Sequence, residues 1–568
     1  MKNKAKNKKE KKHIKIEMNF AVIAIIFCIF IGIWITPITF QNDTYYTIKI
    51  GELIYNSGID MMDHFSWHEN LSYTYPHWLY DFCTYLIYAI GGLKGVVVLT
   101  AVLSSILCLS IYLVNSKLNK NNVISFVVTL GVIYMIKPYI AARAQLATFI
   151  LYIWEIFFIE KFLETKKIRY AIPLVLFSLL IANLHVATWP FFFVLFLPYI
   201  AEYLICLIAD TIIYKKIDLF LIKHKIKVTK KKAPDSERIK ELNKKLENFK
   251  QKISKIKIKR EENNKNPYRI KMKRNPNVKW LILIMVICVL MGFLTPIGDT
   301  PFTYLYKTMK GNTTQNIAEH LPLIIANSTN VMIMLVIVLG ILIFTKVKLR
   351  LSDLFMIGGL CYLMLSTRRQ TSMFVLIGSV ILTRMLIDII NRYTKDGIKV
   401  LEETFKNIFV VSALTVLMML VCAWSMGPKN DDVIIDESSY PVQACDFILE
   451  NIDLENVKFY NDYNYGSYML FRGIPVFIDS RADLYSPEFN GDEDRDIFTD
   501  FIDTSGLSKF YEDTFYKYGI THIIVPKKSK VNFVITKTND DNYKELYSDD
   551  NFIIYERLDL EKGAPEEE

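Results

Sequence analysis

Apolar residues lie along the chain in about eleven long runs, separated by short polar connections. The runs are roughly 15 to 22 residues long, close to the length that an α-helix needs to cross the hydrocarbon core of a bilayer. The pattern therefore predicts a polytopic α-helical membrane protein with about eleven transmembrane helices. The predicted spans are 18–37, 95–114, 123–136, 144–158, 170–184, 189–207, 278–294, 331–344, 354–366, 371–390 and 408–426.

The connection after the first span is unusually long and contains two further helical patterns. In 43–55, Tyr46, Ile50 and Leu53 recur at helical spacing, which is typical of an amphipathic helix. The run 78–91 is apolar but too short to be a span, and a crossing there would invert every later loop. Both segments are therefore expected to lie on the outer membrane surface.

Basic residues are concentrated on one side of the predicted membrane. With the N-terminus inside and eleven spans, the inner segments carry 44 Lys and Arg and the outer loops carry 8. Because basic loops remain in the cytoplasm, a multi-pass cell-membrane protein with a cytoplasmic N-terminus and an extracytoplasmic C-terminal domain is expected.

The charge pattern also divides the chain into domains. In the C-terminal part acidic residues outnumber basic ones more than twofold, and predicted strands at 457–461, 475–479, 521–526 and 551–558 alternate with helical stretches, which favours an α/β domain. The predicted domains are a basic cytoplasmic arm (1–17), an N-terminal membrane module (18–214), a basic helical cytoplasmic insert (215–277), C-terminal transmembrane helices (278–426) and an acidic extracytoplasmic α/β domain (430–568).

Composition excludes several classes of protein. Of 568 residues, 52% are hydrophobic and 22% are charged, which does not fit a soluble enzyme, a fibre or a disordered chain. The net charge of +10 is concentrated next to spans. The insert is therefore expected to contact anionic lipids, and no nucleic-acid partner is expected.

One group of ionisable residues at the ends of spans and in the first long loop shares the predicted outer face. Arg368 and Arg369 oppose the positive-inside trend, so an anion is expected to hold them there. Arginine suits phosphate, and a nearby carboxylate suits a hydroxyl as base. Such a collection fits a lipid-linked anionic substrate. Its members are Asp43, Asp63, His77, Arg143, His185, Glu319, Arg368 and Arg369.

The stretch DTYYTIKIGELIYNSGIDMMDHFSWHENLSYTYPHWLYDFCTYLIYAIGGLKG resembles the first external loop of bacterial GT-C glycosyltransferases, which are integral membrane enzymes related to protein O-mannosyltransferases and aminoarabinose transferases. RAQLATFILY, IANLHVATWP, TPIG followed by AEHLPL, and STRRQTSMFVL resemble later elements of one bacterial branch, and FYNDYNYGSYMLFRGIPVFIDSRADLY resembles its external domain. The resemblance implies a GT-C-like architecture with a long first external loop. It also implies transfer of a sugar, with inversion, from a polyprenyl-phosphate carrier to an envelope polymer, lipid or protein.

The same resemblance assigns roles to the outer-face residues. Asp43 matches the catalytic Asp of the first loop and is expected to deprotonate or orient the acceptor hydroxyl, with Asp63 as the second catalytic carboxylate. Many relatives place an acidic residue beside the first Asp, whereas here Asn42 precedes it and Thr44 follows. The expected phosphate-binding residues are Arg368, Arg369 and Arg143, and the expected substrate-binding residues are His77, His185 and Glu319.

Simpler interpretations stay open for several of these residues. Asp43 is also placed to cap a helix, the arginine pair to bind lipid head groups, and Arg481 to form a salt bridge within the C-terminal domain. Some GT-C members use a divalent metal, for which Asp63, His64 and His68 are the candidates, although their spacing is not a standard ligand set. A transporter or flippase of a lipid-linked glycan and a non-catalytic envelope scaffold are the alternative functions.

Overall fold

The structure is a computed structural model that describes residues 19–213, 216–232, 237–265, 270–426, 433–492, 495–538 and 540–559. It is mainly α-helical, with one small sheet near its C-terminal end. Each predicted span coincides with a helix or with two consecutive helices. The basic arm predicted at 1–17 lies outside the described residues.

The N-terminal membrane module is built around a long, bent third helix. Its helices are α1 (Phe20–Ile35), α2 (Asn42–Ser57), α3 (Trp78–Asn119), α4 (Asn122–Ile136), α5 (Ala144–Thr165), α6 (Ile172–Leu184), α7 (Trp189–Val194) and α8 (Leu197–Ile213). Gly92 interrupts α3 with φ 58° and ψ −155°, a backbone conformation open mainly to glycine. This break separates the predicted surface segment 78–91 from the predicted span 95–114.

The basic insert forms two helices, α9 (Lys216–Lys232) and α10 (Glu237–Lys265), which pack against each other. Along α10, Leu242, Leu246 and Phe249 are half-buried while the residues between them are exposed. The apolar residues of α10 therefore lie on its packed side.

The second membrane module continues the helical bundle. Its helices are α11 (Val278–Leu290), α12 (Thr300–Lys310), α13 (Thr313–Asn316), α14 (Thr329–Phe344), α15 (Leu351–Ser366), α16 (Thr371–Tyr393), α17 (Gly397–Thr404) and α18 (Ile408–Met426). Within the described residues, four helices are long and apolar enough to cross a membrane, or five if the bent pair 397–404 and 408–421 is one span. Five shorter apolar helices coincide with other predicted spans. The protein is thus multi-pass in character, while eleven crossings and their orientation stay predictions.

Polar contacts join the two membrane modules. Glu160 of α5 accepts from Arg350 at 2.5 Å and from Arg384 of α16 at 2.9 Å, and both arginines also pair with Asp353 of α15 at 2.7 Å. Because each charge has opposite partners on other segments, this network fixes how α5, α15 and α16 pack.

The C-terminal domain is a small α/β unit, as predicted. Its helices are α19 (Val442–Asn451), α20 (Tyr463–Phe471), α21 (Pro487–Asn490), α22 (Ile497–Gly506), α23 (Tyr511–Tyr518) and α24 (Lys530–Thr538), and its strands are β1 (Phe459–Tyr460), β2 (His522–Pro526), β3 (Tyr543–Ser548) and β4 (Phe552–Arg557). The sheet order is β1-β2-β4-β3, with β1 parallel to β2 and the other pairs antiparallel.

The strand predicted at 475–479 is not part of this sheet, and β3 was not predicted. Val476 instead forms a single parallel bridge with Ser66 of the first external loop. Trp67 of the same loop donates its indole N–H to the carbonyl of Phe459 at 2.9 Å. The apolar alternation at 475–479 therefore reflects packing of the domain on the first loop.

Candidate active site

One cavity of about 620 Å³ lies between the first external loop, the ends of the membrane helices and the C-terminal domain. Six of the eight predicted site residues line it. They are Asp43, His77, Arg143, His185, Glu319 and Arg369. These residues are far apart in the sequence, and the fold brings their side chains to a single hollow.

Arg143 connects two of the carboxylates that line this cavity, Asp43 and Glu319. Its Nη2 lies 2.7 Å from Oδ2 of Asp43, and its Nη1 lies 3.4 Å from Oε1 of Glu319. Asp43 stands in the first turn of α2 and Arg143 directly precedes α5, so two helix starts place the pair. Because both side chains are mostly shielded from solvent, the pair holds Asp43 in a defined orientation.

Arg369 is the guanidinium with capacity for an anionic ligand. It lines the cavity, and within the described part of the chain its side chain has no ion-pair partner. Its backbone N–H donates to the Glu319 carbonyl at 3.1 Å. Burial alone would raise the pKa of Glu319, but Arg143 and Arg369 hold it below its ordinary value. Arg368 does not line the cavity.

Two histidines, His77 and His185, are in contact along the cavity wall. The rings of His77 and His185 are 5.5 Å apart, edge to face, and Tyr46 stacks on His77 at 6.0 Å. Burial lowers the pKa of His185, and His77 and Arg369 shift it in the same direction, so His185 is neutral at pH 7. The buried Asp81 lies behind His77 and was not predicted. Its position four residues after His77, in HWLYD, is the sequence feature that could have identified it, because residues four apart share one side of a helix.

The C-terminal domain forms part of the cavity wall. Asn42 Nδ2 donates to the carbonyl of Tyr463 at 2.8 Å. Asp483 accepts from the hydroxyl of Tyr304 at 2.5 Å and from that of Thr313 at 3.0 Å. Asp483 and Tyr304 both line the cavity and were not predicted, since no local pattern shows which residues of a separate domain will face it.

Asp63 lies behind the cavity wall and does not line it. Its carboxylate is fully buried, 2.6 Å from Nη1 of Arg481, and it accepts from the hydroxyl of Ser66 at 2.5 Å. Arg481 pairs also with Asp479 at 2.6 Å. Arg481 thus forms the expected salt bridge within its domain and a second one to the first loop, and the position of Asp63 favours a structural role over a catalytic one.

The three residues considered for a metal ion have separate partners. His64 pairs with Asp60 at 2.6 Å, Nε2 of His68 lies 2.9 Å from the carbonyl of Phe477, and Asp63 pairs with an arginine as described above. Burial lowers the pKa of His68 to about 3. Among the described residues there is no cluster of three or more His, Cys, Asp or Glu side chains that could hold a metal.

Searches with the sequence alone found no matching family model and no matching curated protein. Solved structures do match. The apo archaeal oligosaccharyltransferase from Archaeoglobus fulgidus has a TM-score of 0.54 at 10% identity, covering 96% of this chain and 75% of that chain. The form tethered to an acceptor peptide containing the NVT sequon gives 0.52 at 12% identity, covering 95% and 74%.

The oligosaccharyltransferase AglB of the same organism, in complex with an inhibitory peptide and a dolichol-phosphate, gives a TM-score of 0.53 at 10% identity, covering 89% of this chain and 69% of that chain. At such low identities the likeness establishes the fold. The present chain therefore shares the fold of these archaeal oligosaccharyltransferases.

Proposed function

We propose that this protein is a membrane glycosyltransferase that moves a sugar from a polyprenyl-phosphate carrier to an envelope acceptor on the outer face of the cytoplasmic membrane, with inversion. The observation that carries the proposal is the shared cavity, which carboxylates, arginines and histidines from distant segments line together. The fold supports it, and a structural neighbour binds a dolichol-phosphate, a lipid phosphate of the same chemical class.

The proposed division of labour follows from the contacts. Asp43, oriented by Arg143, accepts a hydrogen bond from the acceptor hydroxyl and directs its oxygen at the sugar. Arg369 binds the carrier phosphate and stabilises the negative charge that develops on it as it leaves. Because Arg143 already pairs with Asp43 and Glu319, its main proposed role is to orient Asp43.

The test is mass spectrometry of envelope glycans from a strain that lacks the protein. Loss of one sugar substituent is expected, restored by the wild-type chain and not by Asp43→Asn, which lowers transfer by at least about 100-fold. Glu52→Gln is the matched control, because Glu52 lies on the same helix in an ion pair with Lys49 at 2.6 Å and does not line the cavity.

Two results would contradict the proposal. Full transfer by Asp43→Asn, at normal protein levels, would remove Asp43 from the mechanism. Unchanged glycans in the deletion strain, together with loss of lipid-linked glycan flipping, would favour the transporter.

A further inference from the structure

A buried carboxylate faces the imidazole of His77 from behind the cavity wall. Asp81 has no exposed side-chain surface, and its Oδ2 lies 3.6 Å from Nδ1 of His77. Within the described residues, neither carboxylate oxygen nor this Nδ1 has a hydrogen-bond partner. A movement of about 0.7 Å would turn the approach into a hydrogen bond. The Thr47 side chain of α2 is a second polar neighbour of this carboxylate.

The local sequence explains why the two side chains meet. His77 directly precedes α3 and Asp81 stands in its first turn, four residues later, on the same side of the helix. Helix α2 covers this turn closely, because a Cβ on Gly51 would lie 2.2 Å from the Asp81 carbonyl oxygen. The carboxylate is therefore sealed from solvent, and Nε2 is the His77 nitrogen left for a group in the cavity.

We propose that His77 and Asp81 form a proton-accepting dyad, in which His77 takes the proton of the acceptor hydroxyl and Asp81 orients His77 and stabilises its protonated form. This inference rests on the proposed function. An imidazole titrates close to neutrality, which suits a proton acceptor better than a carboxylate does. A lone buried carboxylate is costly, and protonation of His77 supplies it with a charged partner.

The reaction balances without a further reactant. The acceptor O–H bond breaks and its proton goes to Nε2 of His77, while the oxygen electron pair forms the new bond to the anomeric carbon. The bond between that carbon and the phosphate oxygen breaks, and its electron pair leaves with the polyprenyl phosphate bound by Arg369. His77 then releases the proton to solvent, and Asp43 keeps the hydroxyl in line.

Several ionisable groups surround His77. Neutral His185 does not compete for the proton. The titratable and charged groups around His77 on the packed elements and along the cavity wall are Asp81 of α3, Tyr46 and Asp43 of α2, Tyr73 of the first loop, His185 after α6, Arg143 before α5, Tyr304, Glu319, His320 and Arg369 of the second module, and Asp462, Tyr463, Arg481 and Asp483 of the C-terminal domain. Of the carboxylates in this set, Asp81 is the one that forms an ion pair with His77.

The test is a pH–rate profile of sugar transfer in membrane vesicles of the producing strain, which supply their own lipid-linked sugars and acceptor. Activity needs neutral His77, so the rate falls as the pH drops through the titration of His77. Asp81→Asn removes the opposite charge and should move this acid limb to lower pH. His77→Gln should lower the rate by about 100- to 10,000-fold, and Asp81→Glu should return the limb towards its wild-type position.

The second Asp–His pair of the first loop provides matched controls. Asp60 and His64 pair at 2.6 Å, are about half exposed and do not line the cavity. Asp60→Asn and His64→Gln should leave both the rate and the acid limb unchanged. NMR of ring-labelled histidine in the full chain follows the same titration and does not depend on enzyme activity. The chain has eight histidines, and the signal that disappears in His77→Gln is that of His77.

The outcomes separate this inference from the proposed function. Product formation by Asp81→Asn with a reduced rate but an unmoved acid limb would mean a structural role for Asp81 and would overturn the dyad alone. An unmoved His77 signal in the NMR titration would do the same. No product from wild-type vesicles at any pH would overturn the proposed function and, with it, the catalytic role of His77.

Discussion

At the scale of single residues, the role of a side chain depends more on its contacts than on its residue type. Asp43 and Asp63 have the same chemistry and lie in the same loop, yet Asp43 lines the cavity with Arg143 while Asp63 is enclosed with Arg481. Burial alone would raise the pKa of Asp63, but Arg481 and Ser66 hold it below its ordinary value. Asp63 therefore remains ionised and joins the first loop to the C-terminal domain.

Asp63→Asn is expected to destabilise the protein by about 3–5 kcal/mol at pH 7, because it leaves Arg481 with one fewer buried counter-charge. Since the folded pKa of Asp63 lies below its ordinary value, the contribution is complete above about pH 4 and disappears as the pH falls through the folded pKa. Thermal unfolding of the detergent-solubilised chain at several pH values measures it.

Asp446→Asn is the control, since Asp446 pairs with Arg472 at the same 2.6 Å but with about half of its side chain exposed. It should cost no more than about 1 kcal/mol. Equal effects of the two variants would contradict a special role for the buried pair.

At the scale of elements, Gly92 sets the bend between the two parts of α3, the predicted surface segment and the predicted span. The apolar pattern predicts a surface helix and a span, and the structure has them as parts of one helix with a break at Gly92. Periodicity locates both apolar faces, but the direction of the bend depends on a backbone conformation that no periodicity reveals.

Gly92→Ala should destabilise the protein by about 1–3 kcal/mol, because a side chain is strained at φ 58° and ψ −155°. Gly91→Ala is matched one residue away, where a Cβ meets nothing within 4 Å and φ is not positive. It should be neutral or stabilise by up to about 1 kcal/mol. The unfolding temperatures of the two purified variants test this prediction. Similar unfolding temperatures for both variants would contradict backbone strain at position 92.

At the scale of the whole molecule, the C-terminal domain and the first external loop form one apolar core. Tyr45 of α2 packs on Tyr440 and Tyr468, with ring centroids 5.0 and 5.1 Å apart, and Trp67 packs on Phe477 at 5.7 Å. The domain is therefore a wall of the cavity and must lie on the same side of the membrane as the first loop.

Reporter fusions test the orientation inferred from the basic residues. Alkaline phosphatase needs disulfides, which form outside the cytoplasm. It should be active when fused after Leu558 and inactive when fused after Lys232 in the insert. Activity after Lys232, or inactivity after Leu558 with the fusion protein present, would reverse the proposed topology and remove the cavity from the outer face.

The sequence alone predicted the helices, the insert, the acidic α/β domain and six of the residues that line the cavity, because hydrophobic periodicity, charge and the resemblance of short motifs are readable locally. It could not separate Asp43 from Asp63, find Asp483 and Tyr304, or place the segment 475–479 against the first loop. These depended on tertiary structure, since contacts between segments hundreds of residues apart leave no local pattern in either segment. The pairs Arg143–Asp43 and Asp81–His77 likewise depend on tertiary structure, which places the N-terminal ends of α2, α3 and α5 around one cavity.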